Sequence, residues 1–264
     1  MNEKESTTAT PKPNVFDDFD PEVRVRTKKM LMYFIIFAIV MLFAGITSAY
    51  ILSNTGTYWV HINPPAALTW SIVSVIISSA TMIVASRAMK NGKKKLSLVM
   101  MIATFSFGVL FTMTQLLGWA ELESKGMGWT KVDTTVGIAT SWNNIEKITG
   151  DYGLEADYYV YQDGQILDFQ NGEFFAPSDP LKEQPITRQV LINTNNSGAF
   201  LWVLIWVHIL HLAFGLIYLL VNIIRIFKDR ITPTDSVRLH VNGLYWHFMG
   251  ILWVYLFVFL FIIH

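Results

Sequence analysis

The chain has 264 residues, with 20 Lys and Arg balanced by 20 Asp and Glu and no cysteine; 52% of residues are hydrophobic and 15% charged. A charged fraction so far below the ~25% of soluble domains, with the apolar residues gathered into long runs, excludes an ordinary soluble core and points to a membrane protein. The lack of a basic surplus excludes nucleic acid as a partner, and the lack of cysteine excludes disulfides, thiolate-held copper, iron–sulfur clusters, covalently attached haem and catalytic thiols.

Residues 1–29 read as a polar tail on the cytoplasmic side: Met1–Pro13 is rich in Thr, Lys, Glu and Pro, and Asn14–Pro21 alternates acidic with aromatic residues. No short apolar core ending in small residues marks a cleavable signal, so the first apolar run is expected to act as an uncleaved start-transfer segment. Five uncharged runs follow: Met30–Leu52, Ala66–Ser86, Leu96–Ala120, Ala199–Ile224 and Gly243–Ile263. Each is about 20 to 26 residues, enough at 1.5 Å per residue to cross a ~30 Å hydrocarbon core as a helix. The expected architecture is an all-α membrane protein with 30–122 holding helices 1–3, 123–198 an extracytoplasmic insert, and 199–264 helices 4 and 5.

Charge in the short loops sets the expected orientation. Arg24, Arg26, Lys28 and Lys29 precede the first run; Arg87, Lys90, Lys93, Lys94 and Lys95 join the second to the third; Arg225, Lys228, Arg230 and Arg238 join the fourth to the fifth; Ser53–Pro65 has no Lys or Arg. The positive-inside rule therefore places the N-terminus in the cytoplasm and the C-terminus outside. Tyr58, Trp59, Trp119 and Trp129 fall near the outer boundary, where aromatic belts form. In the insert, Asp163-Gly164 and Asn171-Gly172 are tight-turn dipeptides, so Asp157–Ala176 predicts a three-stranded meander. Ser141 is placed to cap a short helix through Lys147. Three strands alone are marginal in water, so the insert should pack on something.

The interiors of the runs hold no Asp, Glu, Lys or Arg, which argues against a proton relay or coupled transporter built from this chain alone. Histidine is the exception. His208 and His211 lie in the fourth run, ~13 and ~18 Å from the outer edge, and His247 lies ~6 Å from the inner edge, or ~24 Å from the outer. His211 and His247 can just share a depth, so a single-haem cytochrome using that pair is one reading; neutral histidines bonded between helices are the other. A permease or structural membrane protein acting alone is a third. Small residues offer close helix approach at Ala44, Gly45, Ser48 and Ala49 in the first run and at Ser71, Ser74 and Ser78 in the second. Gln115 is placed to bond across helices. Methionines such as Met30, Met32, Met41, Met100, Met101 and Met113 read as lipid-facing or core filler.

Four strings, VMLFAG (Val40–Gly45), FGVLFTMTQLLGWAEL (Phe107–Leu122), SGAFLWVLIWVHILHLAFGLIYL (Ser197–Leu219) and YWHFMGILWVYLF (Tyr245–Phe257), resemble in order subunit III of haem–copper terminal oxidases, in its five-helix bacterial form. The motif positions are Gln115, Trp119, His208, His211, Gly215, Tyr245, Trp246, His247, Phe248 and Trp253. The resemblance implies a helical bundle beside oxidase subunits I and II in the bacterial inner membrane, with no catalytic residue, metal or cofactor of its own. Haem and copper sit in the partner subunits, phospholipid is bound, and the chain supports stability and proton uptake of subunit I. It also implies that the histidines are structural. The complex is expected to be a proton-pumping cytochrome c oxidase, with a quinol oxidase as the alternative. Arg225, Lys228, Arg230, Arg238 and His240 are candidate contacts for anionic lipid headgroups. Three positions depart from the family, which often has carboxylates where this chain has Ile39 and Gly250 and a Glu-Tyr pair where it has Gly118-Trp119. The insert, about 75 residues, exceeds the usual connection and is expected to dock a neighbour, with subunit II, cytochrome c and another respiratory complex as candidates.

Overall fold

The computed structural model describes residues 21–53, 58–125, 150–193, 197–229, 231 and 237–263. The helices are α1 (Pro21–Ser53), α2 (Ala66–Lys90), α3 (Lys94–Ser124), α4 (Thr187–Asn193), α5 (Ser197–Phe227) and α6 (Val237–Val258), the last continued by a π-helical turn over Phe259–Ile263. The strands are β1 (Trp59–Ile62), β2 (Tyr158–Gln162), β3 (Gln165–Ile166), β4 (Asp168–Gln170) and β5 (Glu173–Phe175). Among the described residues five helices, all except α4, are long and apolar enough to cross a membrane. They coincide with the five uncharged runs and extend beyond them. α1 begins at Pro21, inside the stretch read as tail; proline suits a first helical position, and Arg and Lys are good helix formers that carry a helix past the hydrocarbon.

The bundle is arranged by polarity rather than by apolar stripes. Ser71, Ser74, Ser78, Ser97, Thr104, Gln115, His208, Asn222 and Asn242 are buried, whereas Trp70, Ile76, Leu117, Leu210, Phe214 and Ile251 are exposed. Lipid solvates Leu as well as another helix does, so small and polar side chains gain most from facing protein. Ser71, Ser74 and Ser78 form an inward face of α2 as expected. The small residues of α1 do not: Ala44, Gly45, Ser48 and Ala49 are exposed, and a Cβ at Gly45 would meet nothing within 4 Å. Ile39, Phe43, Thr47 and Tyr50 face the bundle instead.

The insert keeps both predicted turns but not the single meander. Asp163 (φ 49°) with Gly164 (φ 79°) turns β2 into β3, and Asn171 (φ 53°) with Gly172 (φ 85°) turns β4 into β5. The middle strand breaks at Leu167, which is buried and donates its N–H to Val160 O (2.9 Å). Two sheets result: β1-β2-β3, and β4-β5. β1, read in the sequence only as loop, pairs antiparallel with β2 from Trp59↔Tyr161 to Ile62↔Tyr158. The packing partner that the insert was expected to need is thus the loop between α1 and α2.

Three further ties bind insert to bundle. Asn63 N–H donates to Asp157 O (2.9 Å), and Asn63 Nδ2 donates to Leu154 O (3.1 Å) and Ala156 O (2.5 Å). Lys125, just past α3, bridges Glu121 (3.0 Å) and Asp157 (2.7 Å). Trp59 Nε1 donates to Tyr50 Oη of α1 (3.2 Å). Tyr58, Trp59 and Trp119 are therefore interior residues, 0–7% exposed, and not an aromatic belt. Within the insert, burial pushes the Tyr152 phenol up to about 12, and its hydroxyl donates to Leu167 O (2.7 Å). The helix expected at Ser141–Lys147, Trp129 and residues 1–20 lie outside the described residues.

Candidate functional site: the α5–α6 interlock and its basic cleft

The fourth and fifth spans carry most of the motif positions, and two glycines make room for the aromatic rings of α6. Gly215 on α5 lies under the Tyr245 ring, so that a Cβ there would stand 3.1 Å from Tyr245 Cε1. That approach lets Tyr245 Oη donate to His211 O, one turn back along α5, at 2.8 Å. Gly108 on α3 lies under the next residue: a Cβ would stand 2.7 Å from Trp246 Cη2. Trp246 Nε1 crosses to α2 and donates to Ser78 Oγ (3.1 Å), and Trp253 Nε1 donates to Ser71 Oγ (2.9 Å). α6 thereby binds α2, α3 and α5 through Tyr245, Trp246 and Trp253.

The histidines separate in role. His208 is 1% exposed, ringed by Trp253 (5.4 Å between centroids), Phe111 (6.3 Å) and Phe43 (6.5 Å). His211 is half-buried, with Nδ1 2.7 Å from Val207 O, the carbonyl of the preceding turn. His247 follows Tyr245 by two residues, about 200° around the helix, so it points away from the face that meets His211. The shared depth that made a His211–His247 haem conceivable is thus not matched by a shared face. Among the described residues no group of three or more His, Asp and Glu could hold a metal ion.

Gln115 is fully buried and makes no hydrogen bond to the described residues, contrary to the expected cross-helix bond; it lies on the face of α3 that carries Phe111 and Trp119. Trp119 packs on Trp202 (6.0 Å) and Trp206 (5.8 Å) of α5. Phe248 packs at the margin of the core. The three departures differ in cause. At Gly118 a Cβ would stand 2.6 Å from Leu68 Cδ2, so α2 and α3 meet too closely for a larger side chain. At Gly250 a Cβ would make ordinary contacts of 3.4 and 3.5 Å with Val75 and Ser79. Ile39 is buried against a cleft.

That cleft, about 900 Å3, opens between α1, α5 and α6. Leu31, Ile35, Ile39 and Phe214 line it with hydrocarbon, and Lys28, Arg225 and Arg238 supply the charge. Of the five proposed headgroup residues, the structure brings Arg225 and Arg238 together here. Lys228 and His240 are exposed and not part of the lining, and Arg230 lies outside the described residues. Lys28 is a site residue that the sequence reading missed; its signal was its place in the basic cluster preceding the first run.

The same segment is similar to known proteins. Residues 186–264 match the family model for cytochrome c oxidase subunit III. Cytochrome c oxidase subunit 3 of Alkalihalophilus pseudofirmus is 38% identical over 65 residues, 25% of this chain and 32% of that protein. Quinol oxidase subunit 3 of Bacillus spizizenii is 33% identical over 61 residues, covering 23% and 29%. Cytochrome bo(3) ubiquinol oxidase subunit 3 of Pseudomonas putida is 38% identical over 61 residues, covering 23% and 28%. The matched stretch thus spans about a third of the length of these relatives. Through this C-terminal segment, which contains the α5–α6 interlock, the chain is similar to subunit III of haem–copper oxidases.

Proposed function

We propose that the chain is a non-catalytic subunit of a proton-pumping terminal oxidase in a bacterial inner membrane, with cytochrome c as the complex's electron donor. The observation that carries this reading is the α5–α6 interlock, in which the family's matched segment is spent on helix packing: Tyr245 on His211 O, Trp246 on Ser78 and Trp253 on Ser71. Haem and copper then belong to partner subunits I and II. Exposed small residues on α1, Ala44, Gly45, Ser48 and Ala49, offer such a neighbour a face for close approach. The basic loops support an N-terminus inside and an insert outside; that insert is our candidate for docking subunit II, cytochrome c or another respiratory complex. We assign the 900 Å3 cleft to an anionic phospholipid, its acyl chains among Leu31, Ile35 and Phe214 and its headgroup at Lys28, Arg225 and Arg238.

The test is purification of the full chain from its native membrane, with an optical spectrum and subunit composition of the product. A haem-rich complex whose colour stays with other polypeptides when this chain is separated supports the reading; a Soret band that follows this chain refutes it. A second reading, subunit III of a quinol oxidase, is favoured by the relatives named for quinol. It predicts that the purified complex oxidises quinol and not reduced cytochrome c.

A further inference from the structure

We infer that the core of the bundle binds one internal water molecule, held between His208 of α5 and Ser78 of α2. The argument begins with His208. Its ring is 1% exposed and surrounded by Phe43, Phe111 and Trp253, and neither ring nitrogen has a hydrogen-bond partner among the described residues. A neutral imidazole carries one N–H donor and one lone pair whichever tautomer it adopts, and low-dielectric surroundings make bare polar atoms costly. The two phenyl rings carry no donor or acceptor, and the Trp253 N–H is already given to Ser71.

Room for a partner lies beside it. A cavity of about 10 Å3 is walled by His208, Val75, Ser78, Gly108, Phe111 and Trp246, among others, and that is at the lower limit of the size that admits one water. Ser78 is the polar group across the cavity, itself fully buried. Its Oγ gives its single hydrogen to Val75 O (2.9 Å) and accepts from Trp246 Nε1 (3.1 Å). A hydroxyl oxygen has two lone pairs, so one remains. A water in the cavity accepts the His208 N–H and donates one hydrogen to that lone pair. The two partners meet the least that a buried water needs. The water extends the Trp246–Ser78 bond to α5, so that α2, α5 and α6 share one polar node at the level where Gly108 leaves space.

The test is a structure of the full chain with its co-purifying subunits in a lipid nanodisc, at a resolution that shows ordered water on the insert. The expected result is a solvent peak within hydrogen-bond distance of a His208 ring nitrogen and of Ser78 Oγ, lost in His208→Leu. A dry cavity in the unaltered protein overturns the inference, as does a His208 ring turned onto a protein carbonyl or a peak unchanged in His208→Leu. Should that variant fail to fold, solid-state NMR of the unaltered protein with 15N-labelled histidine decides the matter. A ring N–H of His208 correlated to water supports the site, and a ring N–H correlated only to protein protons removes it.

Discussion

Two glycines in apolar spans have opposite surroundings, and Gly→Ala at each measures how far the packing of α6 depends on close approach. At Gly45 the new methyl meets nothing within 4 Å. Alanine there should be neutral or should stabilise by up to ~1 kcal/mol, the difference in helix propensity. At Gly108 the methyl would stand 2.7 Å from Trp246 Cη2, 2.9 Å from Leu216 Cδ2 and 3.0 Å from Trp246 Cζ2. Overpacking of this kind costs ~1–3 kcal/mol, and displacing the indole stretches its 3.1 Å bond to Ser78, a further ~1 kcal/mol. After the same propensity gain, Gly108→Ala should destabilise by about 1–3 kcal/mol, so the two variants should differ by roughly 2–4 kcal/mol. Thermal unfolding in detergent–lipid micelles, followed by the fraction that stays monodisperse on gel filtration, reads the difference. Trp246→Phe removes the outer ring atoms that clash, so Gly108→Ala should cost at least ~1 kcal/mol less in that background, a coupling a double-mutant cycle measures. Equal behaviour of Gly45→Ala and Gly108→Ala, or no change on adding Trp246→Phe, would refute the seating of the Trp246 ring against Gly108 of α3.

Other consequences can be checked directly. Ser71→Ala and Ser78→Ala each leave a buried indole N–H without its acceptor, a loss of ~1–3 kcal/mol apiece, read by the same unfolding assay; Ser74→Ala removes no acceptor from α6 and should cost less. The Lys125–Asp157 pair ties the insert to α3. Its hydrogen bond to Lys125, then the Asp151 N–H, holds the Asp157 carboxyl below its usual range, and Asp157 then Glu121 hold the Lys125 ammonium above its own. A depressed carboxyl pKa contributes stability above its unfolded value and loses it as pH falls through the folded one, and a raised ammonium pKa contributes below its unfolded value and loses it as pH rises through the folded one. Hydrogen exchange at the Asn63, Asp151 and Val160 amides should therefore be protected evenly between about pH 5 and 9 and weaken below about pH 4; Asp157→Asn should remove the acid dependence. Because the chain has no cysteine, a single introduced thiol reports topology cleanly. Lys93→Cys should react with an impermeant maleimide only from the inner face and Glu173→Cys only from the outer, and the reverse pattern would invert the proposed orientation.

The spans were legible because a helix in hydrocarbon announces itself by length and lack of charge, without any need to know its neighbours. The turns Asp163-Gly164 and Asn171-Gly172 were legible for a similarly local reason: positive φ selects those residues. The sequence reading failed where a distant partner decides the outcome. β1 is four buried residues, Trp59–Ile62, with none of the polar alternation that marks a strand half open to water, and only β2, about a hundred residues on, makes it a strand. The small residues of α1 and α2 looked alike, yet Ser71 and Ser78 meet tryptophans while Gly45 and Ser48 are exposed. The facing of the histidines was not legible, because a place along one helix follows from counting and the face it presents to a neighbour does not. The pairing of Arg225 with Arg238 around a cleft, and the addition of Lys28, needed three helices to be set side by side.

What sets α2 beside α6 is a pair of hydrogen bonds with matched spacing. Ser71 and Ser78 are seven residues apart on α2, and Trp253 and Trp246 are seven apart on α6. The order runs oppositely along the two chains, as antiparallel neighbours require. Seven residues are close to two helical turns, so both serines present on one stripe and both indoles on the facing one. Apolar side chains alone fix register weakly in a bilayer, since lipid is as good a neighbour as a helix. A slip of one turn would leave two indole N–H groups and two hydroxyl lone pairs unmatched at once, a cost of several kcal/mol with about 1–3 for each bare group. Gly108 and Gly215 then act in a different way. They supply no attraction and only remove the atoms that would hold Trp246 and Tyr245 away from their partners. The residues around α6 therefore divide into those that make its bonds and those that permit them, and substitutions in the two sets should fail differently. Loss of a bond should leave a bundle of the same shape with a looser register, and loss of a glycine should push α6 outward and widen the cleft that Tyr245 lines.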